Sequence, residues 1–194
     1  MKKIVVSRYV RGLIFDCDGT LVDSMPLHMN AWEHAIRSMG QTWQADFFIS
    51  RKGMPEEDIV VHFNTQFSVN LDPACTVRIK HEYFRRHTTQ FKPIPHVLHI
   101  AQKYNGVIPM AVASGGVREN VVLELETLKI RHLFQVILTA DDDIPPKPAP
   151  DIFLEAARRI GVPPKYCQVF EDGDLGLQAA RDAGMLATDV REYA

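Results

Sequence analysis

Leu13-Ile14-Phe15-Asp16-Cys17-Asp18-Gly19-Thr20-Leu21-Val22 is an apolar run that breaks into two aspartates two residues apart, then a glycine. A short apolar run closed by a turn signal reads as a strand buried on both faces, the kind found in parallel sheets. The Asp-x-Asp spacing puts Asp16 and Asp18 on the same side of an extended chain. Gly19 permits a sharp exit. Ligands of open α/β sheets bind beyond the carboxyl ends of the strands, so carboxylates placed there suit a site. By itself the stretch also reads as a strand followed by an acidic surface turn.

Downstream, residues 24–90 read as helical throughout. Met25, Met29, Trp32, Ile36 and Met39 recur at spacings of 4, 3, 4 and 3, one apolar helix face closed by Gly40. A second helix opens at Pro55 and runs to about 67, with Glu56, Glu57 and Asp58 complementing the dipole in its first turn. Asp72-Pro73 reads as the start of a third, running to about 89, whose Arg78, Lys80, Arg85 and Arg86 read as a solvated face.

After the stiff segment Phe91-Lys92-Pro93-Ile94-Pro95 the character changes. Strand-like runs at 109–113, 135–138, 168–170 and 186–190 alternate with helical patterns at 116–128, 150–160 and 174–183. That alternation predicts a parallel sheet with helices on both faces. The expected architecture is an α/β, Rossmann-like core over 1–22 and 94–194, interrupted by an all-helical insertion over 23–93.

Composition narrows the function classes. With 194 residues, 22 Lys+Arg against 24 Asp+Glu and a net charge of −2, no electrostatic footprint for nucleic acid exists. No apolar run approaches the roughly 20 residues of a membrane span. The opening residues lack the apolar core of a signal peptide. Cys17, Cys75 and Cys167 are scattered, without metal-binding or disulfide spacing. A cytoplasmic monomer with free thiols is expected.

Three later strand ends also carry pointed chemistry. Ser114-Gly115-Gly116 precedes a helix, and a hydroxyl with two glycines at a helix N-terminus offers N–H groups to a phosphate. It also reads as a plain cap. Lys147 is held between prolines in Pro145-Pro146-Lys147-Pro148-Ala149-Pro150-Asp151, which suits aiming one charge, or makes an exposed loop. Phe170-Glu171-Asp172-Gly173 repeats the opening theme of a strand ending in paired acids. Two acid pairs facing each other repel unless a cation lies between them, and an all-oxygen donor set favours a hard ion such as Mg²⁺. Taken together in this order, the four strand ends describe metal-assisted phosphoryl transfer.

Phe15-Asp16-Cys17-Asp18-Gly19-Thr20-Leu21, Ser114, Lys147-Pro148-Ala149-Pro150-Asp151 and Phe170-Glu171-Asp172 resemble, in order, the four signature motifs of the haloacid dehalogenase-like superfamily. The insertion after the first motif resembles the helical C1 cap of its β-phosphoglucomutase-like subgroup. The stretch from Val169 to Met185 is similar to small bacterial fructose-1-phosphatases of that subgroup. The resemblance implies Asp16 as nucleophile and Asp18 as general acid, then base. It implies Mg²⁺ held by the Asp16 carboxylate, the Asp18 backbone carbonyl and Asp172, with Glu171 close by. Ser114, the Gly115 amide and Lys147 would bind the phosphoryl oxygens.

In the insertion, Ser50-Arg51-Lys52-Gly53 resembles the subgroup's specificity loop, where Arg51 or Lys52 would hold the far end of an anionic sugar phosphate. The same residues also read as solvated charges. His28 matches a histidine that orients the acid/base aspartate, and Arg118 is a further candidate substrate contact. Cys17 reads as packing and Asp141-Asp142-Asp143 as a solvated turn. Thr20 favours the phosphatase branch over a sugar phosphomutase. Asp18 disfavours a dehalogenase, and the surroundings of Lys52 do not match a phosphonatase. A catalytically silent sugar-phosphate-binding protein would lack Asp16, Asp18 or Lys147, and all three are present. The expected substrate is a small sugar phosphate, such as fructose 1-phosphate or 6-phosphogluconate.

Overall fold

The structure is a computed structural model that describes residues 3–51 and 53–193. In chain order the elements are strand β1 (Gly12–Phe15), then helices α1 (Met25–Ser38), α2 (Ala45–Ile49), α3 (Glu56–Phe67), α4 (Pro73–Arg86) and α5 (Pro95–Tyr104). They continue with β2 (Met110–Ala113), α6 (Arg118–Thr127), β3 (Val136–Leu138) and α7 (Asp151–Arg159). The chain closes on β4 (Cys167–Glu171), α8 (Asp174–Asp182) and β5 (Leu186–Asp189). Two compact units result, one from Met1–Asp23 with Phe91–Ala194, the other from Ser24–Gln90.

In the first unit the strands form one parallel sheet in the order β3-β2-β1-β4-β5. The chain runs outward from β1 through β2 and β3, then crosses back to β4. This reversal of strand order opens the crevice in which doubly wound sheets bind their ligands. Leu13, Ile14 and Phe15 have no exposed surface, as the unbroken apolar run predicts for a central parallel strand. Ile14, Ala113, Leu138 and Val169 pack with Phe153, Ala156 and Ala157 of α7 and Ala179 and Ala180 of α8. Phe15 stacks on Phe170, its register partner, with ring centroids 4.7 Å apart. The chain leaves and re-enters this unit through one antiparallel pair. Val22 bridges Pro93, the Asp23 N–H donates to the Lys92 carbonyl at 2.8 Å, and the Ile94 N–H donates to the Leu21 carbonyl at 2.9 Å.

The helical unit has its own core of Trp32 and Ile36 from α1, Phe47 and Phe48 from α2, Ile59, Val60 and Phe63 from α3, and Leu71. The buried face of α1 is Leu27, Ala31, Trp32, Ala35 and Ile36, with Met29 and Met39 only at the edge of the cluster. Lys80 departs from the solvated face expected of it. Its side chain has no exposed surface, and its ammonium pairs with the Glu56 carboxylate beneath the rings of Trp32 and Phe84, 5.7 and 5.4 Å away. Thr76, Lys80 and Phe84, spaced by four, form one buried face of α4, so the lysine is placed inside and needs a counter-charge. His81 also bonds Glu56.

Burial opposes the charge on Glu56, but Lys80 and His81 outweigh it and hold the carboxyl at about 2, against an ordinary 4.5. A depressed carboxylate pKa stabilises the fold above the ordinary value and loses that contribution as pH falls through the folded one. Unfolding free energy measured in urea should therefore drop by about 2 kcal/mol from this group between about pH 6 and pH 3. The Glu56→Gln variant should lose that part of the slope. Equal slopes in both proteins would contradict the assignment. No helix among the described residues is long and apolar enough to cross a membrane.

Candidate active site

The reversal at β1 places four chain segments along one edge of the sheet. Asp16 follows β1, Ser114 follows β2, Lys147 lies in the connection after β3, and Glu171 ends β4. The Asp16 N–H donates to the Phe170 carbonyl at 3.0 Å, which carries the sheet pairing one residue past β1 and fixes the first carboxylate. Lys147 Nζ then donates to Asp16 Oδ1 and to Glu171 Oε2, both at 2.7 Å. Its ammonium also lies 5.1 Å from the centroid of Phe153. One cation thus bridges the acids of two neighbouring strands.

Glu171 is tucked into the first turn of α8. The Gly173 N–H donates to its Oε1 at 2.9 Å, and any side chain at Gly176 would overlap the carboxylate. Asp172 accepts from Thr20 Oγ1 at 3.1 Å and sits against Gly19, whose φ of +83° and closeness to the carboxylate both demand glycine. Asp16, Glu171 and Asp172 bring carboxylate oxygens within 4.8 Å of one another. Burial pushes the Asp16 carboxyl up to about 6, against the pull of Lys147 and with Asp172 and Asp18 adding to the rise. Burial and the charge of Asp16 raise Glu171 to about 7, with Lys147 again opposing. Lys147 keeps its proton firmly, because the two carboxylates outweigh its own burial. Three crowded acids against one lysine leave an excess of negative charge. An all-oxygen donor set of this kind fits a hard divalent cation.

Ser114 is buried. Its N–H donates to the Leu138 carbonyl at 3.0 Å and its Oγ accepts the Gly116 N–H at 3.0 Å, so the hydroxyl also shapes its own turn. Gly115 is exposed at the tip of that turn. A Cβ at Gly116 would lie 3.3 Å from both Asp18 Oδ2 and Ser114 Oγ, which puts the second aspartate beside the serine turn. Asp16, Asp18, Ser114, Lys147, Glu171 and Asp172 therefore share one neighbourhood.

Arg118 does not present a free guanidinium there. Its Nη2 donates to Asp142 Oδ2 at 2.6 Å and its backbone N–H to Asp141 Oδ2 at 2.6 Å. Asp141-Asp142-Asp143 is accordingly more than a solvated turn. Asp142 also takes the Thr139 N–H, and although burial opposes it, this bond and Arg118 hold its carboxyl below the usual range.

Three of the remaining candidates belong to the helical unit. His28 stacks on Phe84 at 4.3 Å. Arg51 lies over the Phe47 ring at 3.7 Å and bonds the Phe47 carbonyl, Ser50 Oγ and Gln66 Oε1. Gly53 is exposed with a φ of +84°. Lys52 lies outside the described residues. Two contacts near the acids have no counterpart in the sequence reading. Thr20 engages Asp172 through a hydroxyl visible only as part of a motif. Glu124 receives the Cys17 thiol across 107 positions of sequence, a separation no local pattern signals.

The haloacid dehalogenase-like hydrolase family matches residues 13–190. The chain is 39% identical over 183 residues to fructose-1-phosphate phosphatase YqaB of Escherichia coli, covering 93% of this chain and 96% of that protein. It is 33% identical to a probable pseudouridine-5'-phosphatase of Drosophila melanogaster, covering 93% and 81%. Among solved structures, CbbY from Rhodobacter sphaeroides in complex with phosphate superposes with a TM-score of 0.81 at 25% identity, over 92% of this chain and 84% of that one. The matched span contains the Asp16 strand end, the Ser114 turn, the Lys147 loop and the Glu171-Asp172 pair, and the chain belongs to the haloacid dehalogenase-like hydrolase family.

Proposed function

We propose that this protein is a Mg²⁺-dependent phosphatase that hydrolyses a small sugar phosphate through an aspartyl-phosphate on Asp16. The observation that carries this reading is the buried Asp16 carboxylate, 2.7 Å from Lys147 and grouped with Glu171 and Asp172, with a second aspartate two residues on. An Asp16 oxygen attacks phosphorus, the P–O bond to the sugar breaks, and Asp18 gives its proton to the departing alkoxide. Asp18 then takes a proton from water as that water attacks the phosphoenzyme. The bond from phosphorus to Asp16 breaks, inorganic phosphate leaves and both aspartates are restored.

Lys147, Ser114 and the Gly115 amide hold the equatorial oxygens and neutralise charge where it develops. Asp16, the Asp18 carbonyl and Asp172 would hold the Mg²⁺, with Glu171 beside them. Bound there, the ion supplies charge neutralisation and orientation. The helical unit, with His28, Arg51, Lys52 and Gly53, acts as the cap that selects the sugar. The name of the Escherichia coli relative supports fructose 1-phosphate as the first substrate to try, with 6-phosphogluconate next. Arg51 would release its bonds to Ser50 and Gln66 to engage the substrate, and Arg118 contributes through its turn. The protein works as a cytoplasmic monomer.

A phosphate-release assay across sugar phosphates tests the reading. Activity should fall by roughly 10²-fold or more in EDTA and return with Mg²⁺. Turnover indifferent to EDTA would sink the metal assignment.

A further inference from the structure

We propose that Glu124 is a positioning residue that locks α6 to the peptide between Asp16 and Asp18, and so sets the placement of Asp18 against the Ser114 turn. The inference rests on the phosphatase reading above.

Glu124 lies on the inner face of α6 with no exposed surface. An apolar residue is the ordinary occupant of such a position, because a buried carboxylate is costly unless it is engaged. Here it is engaged by the residue between the two aspartates. Cys17 Sγ donates to Glu124 Oε2 at 3.1 Å. The same cysteine gathers the turn that follows, its carbonyl accepting the N–H groups of Thr20, Leu21 and Val22 at 3.2, 2.9 and 3.0 Å. Backbone on one side of Cys17 and helix on the other therefore converge on a single residue. The thiol is inert as a nucleophile, since burial and then Glu124 push its pKa well up. Its service is the bond it donates.

The helix that supplies the acceptor also begins just after Ser114-Gly115-Gly116. One rigid element thus carries the serine turn at its start and the Cys17 anchor two turns on. Glu124 and Asp18 carboxylate oxygens lie within 4.8 Å of each other, so the anchor acts close to the proton-transferring group. A directional hydrogen bond fixes the rotation of the Asp-Cys-Asp segment about its own axis, which apolar contact alone leaves soft. Small misplacement of a reacting group is expensive in rate, up to about 10²-fold for 1 Å.

The test separates proton transfer from general packing. Glu124→Leu and Cys17→Val each delete the bond with an apolar side chain, whereas Glu124→Gln keeps an acceptor and Cys17→Ser keeps a donor. Two substrates are compared: fructose 1-phosphate or 6-phosphogluconate, whichever the wild type hydrolyses, and p-nitrophenyl phosphate. The sugar alkoxide needs the proton of Asp18 to leave, and the nitrophenolate leaves unaided.

For Glu124→Leu and Cys17→Val, kcat/KM, which reports the steps up to loss of the leaving group, should fall roughly 10- to 100-fold on the sugar phosphate and by no more than about threefold on p-nitrophenyl phosphate. The double variant should be no worse than either single one. Cys17→Ser and Glu124→Gln should stay within about threefold of wild type. Equal losses of kcat/KM on both substrates, additive losses in the double variant, or an unchanged kcat/KM for the sugar phosphate in Glu124→Leu would overturn the proposal. If Glu124→Leu does not fold, the Cys17→Val and Cys17→Ser pair decides by the same ratio. A wild type that releases phosphate from neither substrate ends the phosphatase reading and this inference with it. An active wild type with substrate-independent losses ends this inference alone.

Discussion

Asp16→Asn removes phosphate release, by at least about 10⁴-fold, while the protein stays folded. The amide matches the carboxylate in size and keeps an oxygen for Lys147, which donates to Asp16 Oδ1 at 2.7 Å in the native protein. What it lacks is a nucleophile. Folding should tolerate the change, because burial already pushes the Asp16 carboxyl up to about 6 and a neutral group relieves that cost. Thermal unfolding and phosphate release measured on one preparation provide the check. Retained turnover within tenfold of wild type would falsify the assignment of Asp16. The neighbouring Asp18→Asn variant should behave differently, with a loss on the order of 10²–10⁴-fold that is largest for alkyl leaving groups. Phosphate carried on Asp16 should then persist long enough to be seen by mass spectrometry.

Lys147→Met should damage both stability and rate. The lysine side chain is 12% exposed and joins Asp16 to Glu171, which are themselves nearly sealed at 8% and 4%. Removing one partner from a buried charge cluster costs about 3–5 kcal/mol, since the remaining charges lose their compensation. For a chain of this length the midpoint of thermal unfolding should fall by roughly 10 °C. Phosphate release should fall by about 10²–10³-fold, because a preorganised charge near the transferring phosphoryl group is gone. Added Mg²⁺ should recover part of the lost stability and little of the rate. A midpoint within about 2 °C of wild type would show that the cluster does not depend on this cation.

The strand ends were readable because each combines an apolar run with an abrupt polar stop, and a parallel sheet lines such stops along one edge. Asp16, Ser114 and Glu171 fall at those stops, whereas Lys147 lies well past the end of β3, in the connection to α7. Helix α5 is less legible, although Ile100 and Ala101 stand three and four residues after Val97, the spacing of a buried face, behind Pro95 at the first turn. Lys80 shows the opposite failure. A basic residue on a helix defaults to the surface, yet its spacing from Thr76 and Phe84 already placed it inside. Arg118 and Asp142 pair 24 positions apart, and Cys17 and Glu124 pair 107 apart. Those unions depend on how strands and helices are stacked, and nothing in the neighbouring residues announces them.

The antiparallel pair that joins Val22 to Pro93 has a consequence for how this architecture changes over evolutionary time. Because the outgoing and returning chain are stitched together at one place, the excursion Ser24–Gln90 is a closed loop whose ends stay together whatever it contains. Loop-closure cost rises only slowly with length, so insertions of other sizes are tolerated at the same junction. The helical unit is in that sense an exchangeable part. On the proposed function, a lineage that traded it for another would change what is recognised while keeping the strand order and the carboxylates of the sheet.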